Sequence, residues 1–395
     1  MTTTVWYADG PNAPRLSPRD AVRLAGLPDD GSPDVTLGWT IERLPWIDDP
    51  AFTARTVLAG YALSRAVNDG RVTPLPVRLS AVPALIESNP PDIAVVSGVR
   101  RGSALAFSTS VGWADVLART ARAVVVEIDD DGADLGAPEI PGAIVATTPR
   151  SAAAPDAPAV AAVAAVASRP ADEIDLRIGA LVATMLPEAP TIQFGPGGVG
   201  AGIAKALDRP VHIWSGLVTD EMAELHGRGL LLGPVVAAYA WGGEPIRALA
   251  AAGMLRLRSS TVTHDLSRLS ETPRFVGCNT ALQVGLDGSV NVERIGRRTI
   301  AAVGGHADFC VGASRSVGGL SIIALRSVAG NGSSTIVPVV DVVSTSRSDI
   351  QVVVTEHGIA DLRNVGDDER ARRLIAIAAP EHRADLSAAI GIATP

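Results

Sequence analysis

The chain has 395 residues, of which 47% are hydrophobic, so it can fill the cores of two domains of ordinary size. Its net charge is -8 and its cations are scattered arginines with Lys205 as the single lysine, which argues against nucleic-acid binding. The cysteines Cys278 and Cys310 predict reduced thiols, and the sequence shows neither a secretory signal nor an apolar run long enough to cross a membrane. We therefore expect a cytoplasmic protein, and the excess of alanine, arginine and valine points to a bacterial source.

The first half of the chain predicts short apolar strands separated by turns. The predicted strands are residues 35–38, 73–78, 93–97, 123–128 and 143–145. We assign residues 1–150 to an N-terminal α/β domain and residues 151–170, rich in alanine and proline, to a linker.

The second half, residues 171–395, alternates helical and strand patterns. Apolar residues at helical spacing from Ile174 to Met185 predict an amphipathic helix. Strands are predicted at residues 191–194, 211–214, 275–276, 321–325, 336–340 and 350–354. Strands that alternate with helices predict an α/β fold with a mainly parallel sheet in each half.

Glu356 is the clearest candidate for chemistry. It follows the apolar run of residues 352–354 and precedes Gly358 and an expected helix start, so its carboxylate is predicted to lie where a sheet ends. The alternative is a structural acid that caps the helix or pairs with Arg363. Its neighbour His357 is expected to point to the opposite side of an extended chain.

Two glycine-rich turns are also candidates for binding. Gly195, Gly197 and Gly198 join a strand to a short helix, which is a suitable seat for a phosphate or an oxyanion. Gly304 and Gly305 allow backbone N–H groups to approach a ligand closely. Both turns therefore predict anion binding.

Four segments in order resemble the acetyl-CoA hydrolase/transferase family of acyl-CoA:carboxylate CoA-transferases, such as the 4-hydroxybutyrate and butyryl-CoA:acetate CoA-transferases. They are residues 193–198, 279–282, 304–309 and 354–363. The resemblance implies two similar open, mainly parallel α/β domains of the CoA-transferase (NagB/RpiA-like) type, with the site carried by residues 171–395. Residues 102–113 resemble a loop of the first domain in the family, and we expect them to line an acyl pocket or to form a packed turn.

The family's nucleophilic glutamate has no counterpart at the gapless position. Family members attack the thioester with this glutamate and pass through a covalent glutamyl-CoA thioester. The matching segment here has Gly216 at that position, and glycine offers no carboxylate. A shifted alignment would make Asp220 or Glu221 the nucleophile; otherwise Glu356 acts as a general base on water, or the protein binds CoA without turning it over.

His264 stands where the family often has an asparagine. An imidazole with a pKa near neutrality can transfer a proton, whereas the structural alternative is a loop histidine bonded to Asp265. With Gly216 leaving space for water and Gly305 offering an oxyanion site, we expect hydrolysis of an acyl-CoA, at the thioester or at a β-keto C–C bond, to outrank transfer. Transfer to a small carboxylate and an inactive CoA-binding protein are the alternatives.

The resemblance also implies the binding groups and partners. CoA is expected as a substrate, with no permanently bound cofactor, and its contacts are assigned to Gly195, Gly197, Gly198, Gly304 and His306. A homodimer is expected, without nucleic acid or membrane. The sequence has no paired histidine or cysteine spacing, so no metal site is predicted.

Overall fold

The computed structural model describes residues 2–28, 31–150 and 169–391. Its residues form two compact units, and each unit takes segments from different parts of the chain. Unit 1 comprises Met1–Val166, Gly216–Ala223 and Pro234–His264, and unit 2 comprises Ala167–Ser215, Glu224–Gly233 and Asp265–Pro395. The division at residues 150 and 171 stays a prediction, and most of the expected linker, residues 151–168, lies outside the described residues.

The elements before residue 150 are short strands and helices. In chain order they are β1 Thr4–Tyr7, α1 Pro18–Leu24, β2 Asp34–Leu37, β3 Thr53–Thr56, α2 Ser64–Asn68, β4 Val72–Pro74, α3 Val82–Ser88, β5 Ile93–Arg101, β6 Ala104–Ala106, α4 Ala114–Thr120, β7 Ala123–Ile128 and β8 Ile144–Pro149.

The elements after residue 169 continue the alternation. They are α5 Glu173–Met185, β9 Thr191–Phe194, α6 Gly198–Ala206, β10 His212–Thr219, α7 Asp220–Gly227, β11 Val235–Trp241, α8 Glu244–Ala251, β12 Leu255–Leu257, α9 Ser260–Thr263, α10 Leu266–Glu271, β13 Phe275–Asn279, β14 Gln283–Gly285, β15 Val290–Asn291, β16 Arg294–Ile295, β17 Arg298–Thr299, α11 His306–Arg315, β18 Leu320–Ala324, β19 Ile336–Val337, β20 Val352–Thr355, β21 Gly358–Asp361, α12 Asp367–Ile377 and α13 Arg383–Ala389.

The main sheet of unit 1 is parallel in the order β4-β3-β2-β1-β5-β7-β8, with β6 antiparallel to β5. β5 and β7 begin with buried runs of alanine, valine and isoleucine, residues 93–96 and 123–126, as expected for strands with both faces covered. The chain builds the sheet in opposite directions from β1 and β5. The crevice beyond the carboxyl ends of these two strands is therefore a topological switch point, where open α/β sheets bind ligands.

The sheet of unit 2 repeats this arrangement. β9 pairs in parallel with β13 on one side and with the start of β10 on the other, and β13 is followed by parallel β18 and β20. β21 closes the edge as an antiparallel hairpin with β20. The switch point of this sheet lies between β9 and β13. The expected α/β class with mainly parallel sheets is confirmed.

Three local predictions differ from the structure. β1 lies before the first predicted strand and was not predicted, because Val5, Trp6 and Tyr7 form too short an apolar run to be recognised as a strand. β11 was also missed. Gly358 begins a strand where a helix start was expected, because Glu356 and His357 form a tight turn that reverses the chain into β21.

Within the described ranges, no helix combines the length and the apolar character that a membrane crossing requires.

Two glycines let α5 and α6 of unit 2 approach closely. A Cβ on Gly179 would overlap the backbone of Gly202, and a Cβ on Gly202 would overlap the backbone of Asp175. Backbone atoms cannot move aside as a flexible side chain can, so the contact requires glycine on both helices. This packing sets the position of the turn that precedes α6.

Substitution Gly202→Ala should therefore destabilise the fold. We expect a loss of about 1–3 kcal/mol from the overlap, even though alanine is the better helix former. The matched control is Gly227→Ala at the end of α7, where no described atom lies within 4 Å of the added Cβ. Urea unfolding of both variants measures the difference, and equal stability of the two would contradict the close packing.

Candidate functional site

The three predicted segments of unit 2 lie at the carboxyl edge of its sheet. Gly195 follows β9 and Glu356 follows β20. Gly305 precedes α11, and this helix runs back to the start of β18. Asn279, at the end of β13, contacts Cys310 of α11 at 3.6 Å (Nδ2 to Sγ). The order of the strands thus places two glycine-rich turns and a carboxylate at the edge where such sheets bind ligands.

The glycines of the turn after β9 differ in backbone conformation and in the space around them. Gly197 has a φ of 95°, in the left-handed region that favours glycine. No described atom lies within 4 Å of the position that a Cβ on Gly195 would occupy, so this residue leaves open space. A Cβ on Gly198 would instead overlap the side chains of Arg169 and Asp175. Gly195 thus leaves room for a ligand, whereas Gly198 leaves room for an ion pair.

That ion pair is centred on the fully buried Asp175. Its carboxylate accepts hydrogen bonds from Arg169 Nη2 at 2.6 Å, Arg326 Nη2 at 2.9 Å and Arg326 Nε at 3.1 Å. Asp172 caps α5 and accepts from Arg326 Nη2 at 2.5 Å, and this hydrogen bond lowers the pKa of Asp172 well below its usual range. The sequence did not predict this cluster because Arg326 lies 151 positions from Asp175 in the chain.

Glu356 is held by Ser327, which lies beyond β18. Ser327 Oγ donates to Glu356 Oε1 at 2.7 Å, and the backbone N–H of Ser327 donates to Oε2 at 3.0 Å. The glutamate side chain is 14% exposed, and His357 Nε2 lies 3.8 Å from Oε1. The carboxylate is therefore oriented and still reaches solvent.

The expected direction of His357 was wrong, and the alternative pairing of Glu356 with Arg363 is not found. His357 does not point away from Glu356, because the two residues form a turn and not an extended strand. Arg363 pairs with Asp361, with Nη2 to Oδ2 at 2.7 Å, and not with Glu356.

Gly304, Gly305 and His306 form the start of α11. Gly304 has a φ of 54°, which favours glycine, and Gly305 occupies the N-cap position of the helix. His306 Nδ1 lies 2.9 Å from Thr345 Oγ1, and burial lowers the pKa of His306 to about 4. The imidazole is therefore neutral at physiological pH and offers hydrogen bonds without charge.

His264 belongs to unit 1 and is buried at the end of α9. Its Nδ1 lies 2.9 Å from Thr263 Oγ1. Burial lowers the pKa of His264 to about 3, so the expectation of a pKa near neutrality was wrong. Asp265, its sequence neighbour, caps α10 through the backbone N–H of Arg268. A catalytic role for His264 stays a prediction and is restricted to the neutral imidazole.

Gly216 lies within β10, and the candidate replacements follow that strand. Asp220 begins α7, and its Oδ1 and Oδ2 both accept from the backbone N–H of Gly243 at 2.9 Å. Gly242 also lies so close that a Cβ on it would overlap the Asp220 carboxylate. The backbone thus holds Asp220 in place, and the neighbouring Glu221 is half-buried.

A narrow cleft lies at the switch point of the unit 1 sheet. It is lined by Ala8, Asp9, Asn12, Ser97 and residues 108–110, and it is too narrow to hold a water molecule. Sequence reasoning missed Asp9 and Asn12 because it missed β1. The apolar triplet before Asp9 and Gly10 was the available signal.

Asp9 in this cleft is almost completely buried. Tyr239 of β11 donates a hydrogen bond of 2.7 Å from its hydroxyl to Asp9 Oδ2. Burial raises the pKa of Asp9 to about 8, although hydrogen bonds from Tyr239 and Trp39 oppose the shift. The carboxyl is therefore mainly neutral at pH 7.

Among the described residues, no group of three histidine, cysteine or acidic side chains is placed to hold a metal ion.

The chain is similar to known proteins in sequence and in fold. Residues 246–390 match the acetyl-CoA hydrolase/transferase C-terminal domain. The chain is 28% identical over 360 residues to the 4-hydroxybutyrate coenzyme A transferase of Clostridium kluyveri, which covers 85% of this chain and 81% of that protein. It is 24% identical over 373 residues to the acetyl-CoA hydrolase of Eremothecium gossypii, covering 80% and 70% of the two chains.

A solved structure of a CoA-transferase has a similar fold. The crystal structure of 4-hydroxybutyrate CoA-transferase from Porphyromonas gingivalis superposes with a TM-score of 0.73 at 23% identity, covering 98% of this chain and 93% of that one. The fold is therefore that of the CoA-transferases. In sequence the chain resembles the acetyl-CoA hydrolase/transferase family, through the match of residues 246–390 to its C-terminal domain and through these relatives.

Substitution Asp9→Asn tests the buried carboxyl. Between pH 3.8 and about 8 the unfolded chain ionises Asp9 while the folded chain keeps it neutral, so this group reduces stability as pH rises through that window. An amide cannot ionise and can still accept from Tyr239. We expect the variant to gain about 2–4 kcal/mol relative to the original protein between pH 4 and pH 8.

Urea unfolding at several pH values measures this change. The control is Asp131→Asn, which alters an exposed aspartate and should leave the pH profile as it was. Identical profiles for Asp9→Asn and Asp131→Asn would show that Asp9 is ionised in the folded state.

Proposed function

We propose that the protein is an acyl-CoA-processing enzyme that hydrolyses its substrate with Glu356 as acid/base and the backbone around Gly305 as oxyanion site. The observation that carries the proposal is the carboxylate of Glu356, which Ser327 orients at the sheet edge without closing it off from solvent. The similarity to this family supports acyl-CoA as the substrate class, because the relatives are named both as acetyl-CoA hydrolases and as CoA-transferases.

The chemistry follows from a base and an anion site at one sheet edge. Glu356 takes a proton from water, whose oxygen attacks the thioester carbonyl carbon. The negative oxygen that forms is stabilised by backbone N–H groups at the start of α11, whose helix dipole is positive there. The C–S bond then breaks, and the proton held by Glu356 passes to the CoA sulfur, giving a carboxylic acid and free CoA.

Hydrolysis is favoured over transfer because a suitable second carboxylate is lacking at the expected position. Gly216 has none, and Asp220 is already bound by the backbone of Gly243. Transfer to a small carboxylate is the second candidate, since several relatives carry transferase names, and its nucleophile would be Asp220 or Glu221. Hydrolysis of a β-keto C–C bond would use the same base and oxyanion site.

The binding groups in this proposal divide between the two glycine-rich turns. Gly195 and Gly197 provide open backbone for part of CoA, with Gly198 allowing the turn to pack on its ion pair. Gly304 and His306 flank the oxyanion position, where a neutral imidazole can donate or accept one hydrogen bond. CoA enters as part of the acyl-CoA substrate and leaves as a product. The homodimer and the cytoplasmic location stay predictions from the sequence.

Substitution Glu356→Gln should remove the base and keep the size and shape of the side chain. We expect thiol release from the best acyl-CoA to fall by about 10²–10⁴-fold with acyl-CoA affinity nearly unchanged. Free-thiol release is measured on a panel of acyl-CoAs with and without acetate or succinate, and Glu381→Gln, an exposed acid, is the control. Unchanged turnover would remove Glu356 from the mechanism, and CoA binding without thiol release by the original protein would indicate an inactive binding protein.

Substitution Gly216→Glu should restore a carboxylate where the family has its nucleophile. We expect acetate-dependent CoA transfer to appear, together with a CoA adduct of the protein in mass spectrometry, because transfer proceeds through a covalent relay. Gly227→Glu adds the same charge at an uncrowded helix end and should produce neither. An adduct already present in the original protein would place the nucleophile elsewhere and favour transfer.

A further inference from the structure

The hairpin formed by β16 and β17 carries exposed arginines without carboxylate partners. Residues 294–299 contain Arg294, Arg297 and Arg298, all exposed, and no acidic residue. Among the described residues, none of these three guanidinium groups forms an ion pair with a carboxylate. On a chain whose net charge is -8, this hairpin is therefore a local site of positive charge that remains available to an anion.

The hairpin is anchored beside the start of α11. Ser344 Oγ donates to Glu293 Oε2 at 2.6 Å, and Glu293 is the residue that immediately precedes β16. The next residue in the chain, Thr345, places its Oγ1 2.9 Å from His306 Nδ1. Two consecutive residues thus hold the base of the hairpin and the first residue of α11. The positive charge is therefore placed next to the proposed oxyanion position.

Exposed apolar side chains accompany the arginines. The backbone N–H of Gly296, in the turn of the hairpin, donates to Asp341 Oδ2 at 2.7 Å and joins the hairpin to the loop that carries this aspartate. Ile295 on the hairpin is 44% exposed, and Val339 and Val343 on the loop are 80% and 59% exposed. Apolar groups that stay exposed on adjoining segments are a mark of binding surfaces. The surface thus offers apolar contact together with positive charge.

The strand pairing places one arginine next to an apolar side chain. Ile295 pairs directly with Arg298 across the hairpin, so the two side chains lie on the same face. Arg294 pairs with Thr299 and lies on the other face, and Arg297 is in the turn. A guanidinium group is always charged and binds phosphate oxygens through parallel N–H donors. Arg297 and Arg298 can therefore approach one phosphate group from the face on which Ile295 is exposed.

We propose that Arg297 and Arg298 bind the phosphate groups of the CoA part of the substrate, with Ile295 and the exposed valines against its apolar portions. The inference rests on the proposed acyl-CoA substrate and extends it. CoA carries its sulfur and its phosphate groups at opposite ends of a flexible arm, so the thioester can lie at Gly305 while the phosphate groups lie on the hairpin. Because these charge contacts are exposed to solvent, they add affinity and leave the chemistry to the sheet edge.

The test compares equilibrium binding of CoA and of pantetheine, which lacks the phosphate groups. Ligand-observed NMR titration of the full chain gives both dissociation constants without any need for turnover. In the double variant Arg297→Gln/Arg298→Gln we expect the affinity for CoA to fall about tenfold, the effect of losing two exposed charge contacts, and the affinity for pantetheine to stay the same. The affinity of the original protein for CoA should also decline as salt is added, and that of the variant should decline less.

The matched control is the double variant Arg274→Gln/Arg315→Gln. It removes the same charge from two exposed arginines of unit 2, one just before β13 and one at the end of α11, both at the opposite edge of the sheet. This variant should bind CoA as the original protein does. Equal CoA affinity of the two double variants, or an equal loss of affinity for pantetheine, would overturn the phosphate assignment and leave hydrolysis by Glu356 untouched. Failure of the original protein to bind CoA would overturn both this assignment and acyl-CoA as the substrate class.

Discussion

The buried carboxylate of Asp175 is the constraint on which the unit 2 site depends. It joins the start of α5 to Arg326 beyond β18 and to the Gly198 turn beyond β9, so three separate parts of the chain meet at one charge. A buried carboxylate is costly unless it is paired and fully hydrogen-bonded, and two guanidinium groups meet that requirement here. The residue after Arg326 is Ser327, which orients Glu356. The candidate base is thereby positioned by the same contacts that fix the glycine-rich turn.

The sequence was sufficient for those features that depend on local pattern. Buried parallel strands have continuous apolar runs, so residues 123–128 and 191–194 were predicted with the bounds that the structure has. The position of Glu356 at the end of β20 was predicted for the same reason. β1 was missed because a run of three apolar residues carries little signal, although its place at the centre of the sheet gives it many tertiary contacts.

The candidate site needed information that a linear pattern does not contain. The ion pair of Asp175 with Arg326 joins residues 151 positions apart, and neither residue type is unusual in its local context. The pKa of His264 depends on its burial, which the polar segment around it did not suggest. The turn at His357 reversed a side-chain direction that had been inferred from strand alternation. In each case tertiary contacts overrode a local rule.

The burial of His264 and His306 has a consequence for how the protein responds to acid. With pKa values of about 3 and about 4, neither imidazole takes up a proton when a cell acidifies from about pH 7.5 to pH 5.5. Each ring keeps one N–H donor and one nitrogen acceptor across that range. The hydrogen bonds of both rings therefore persist under acid stress, a condition in which exposed histidines would exchange an acceptor for a positive charge.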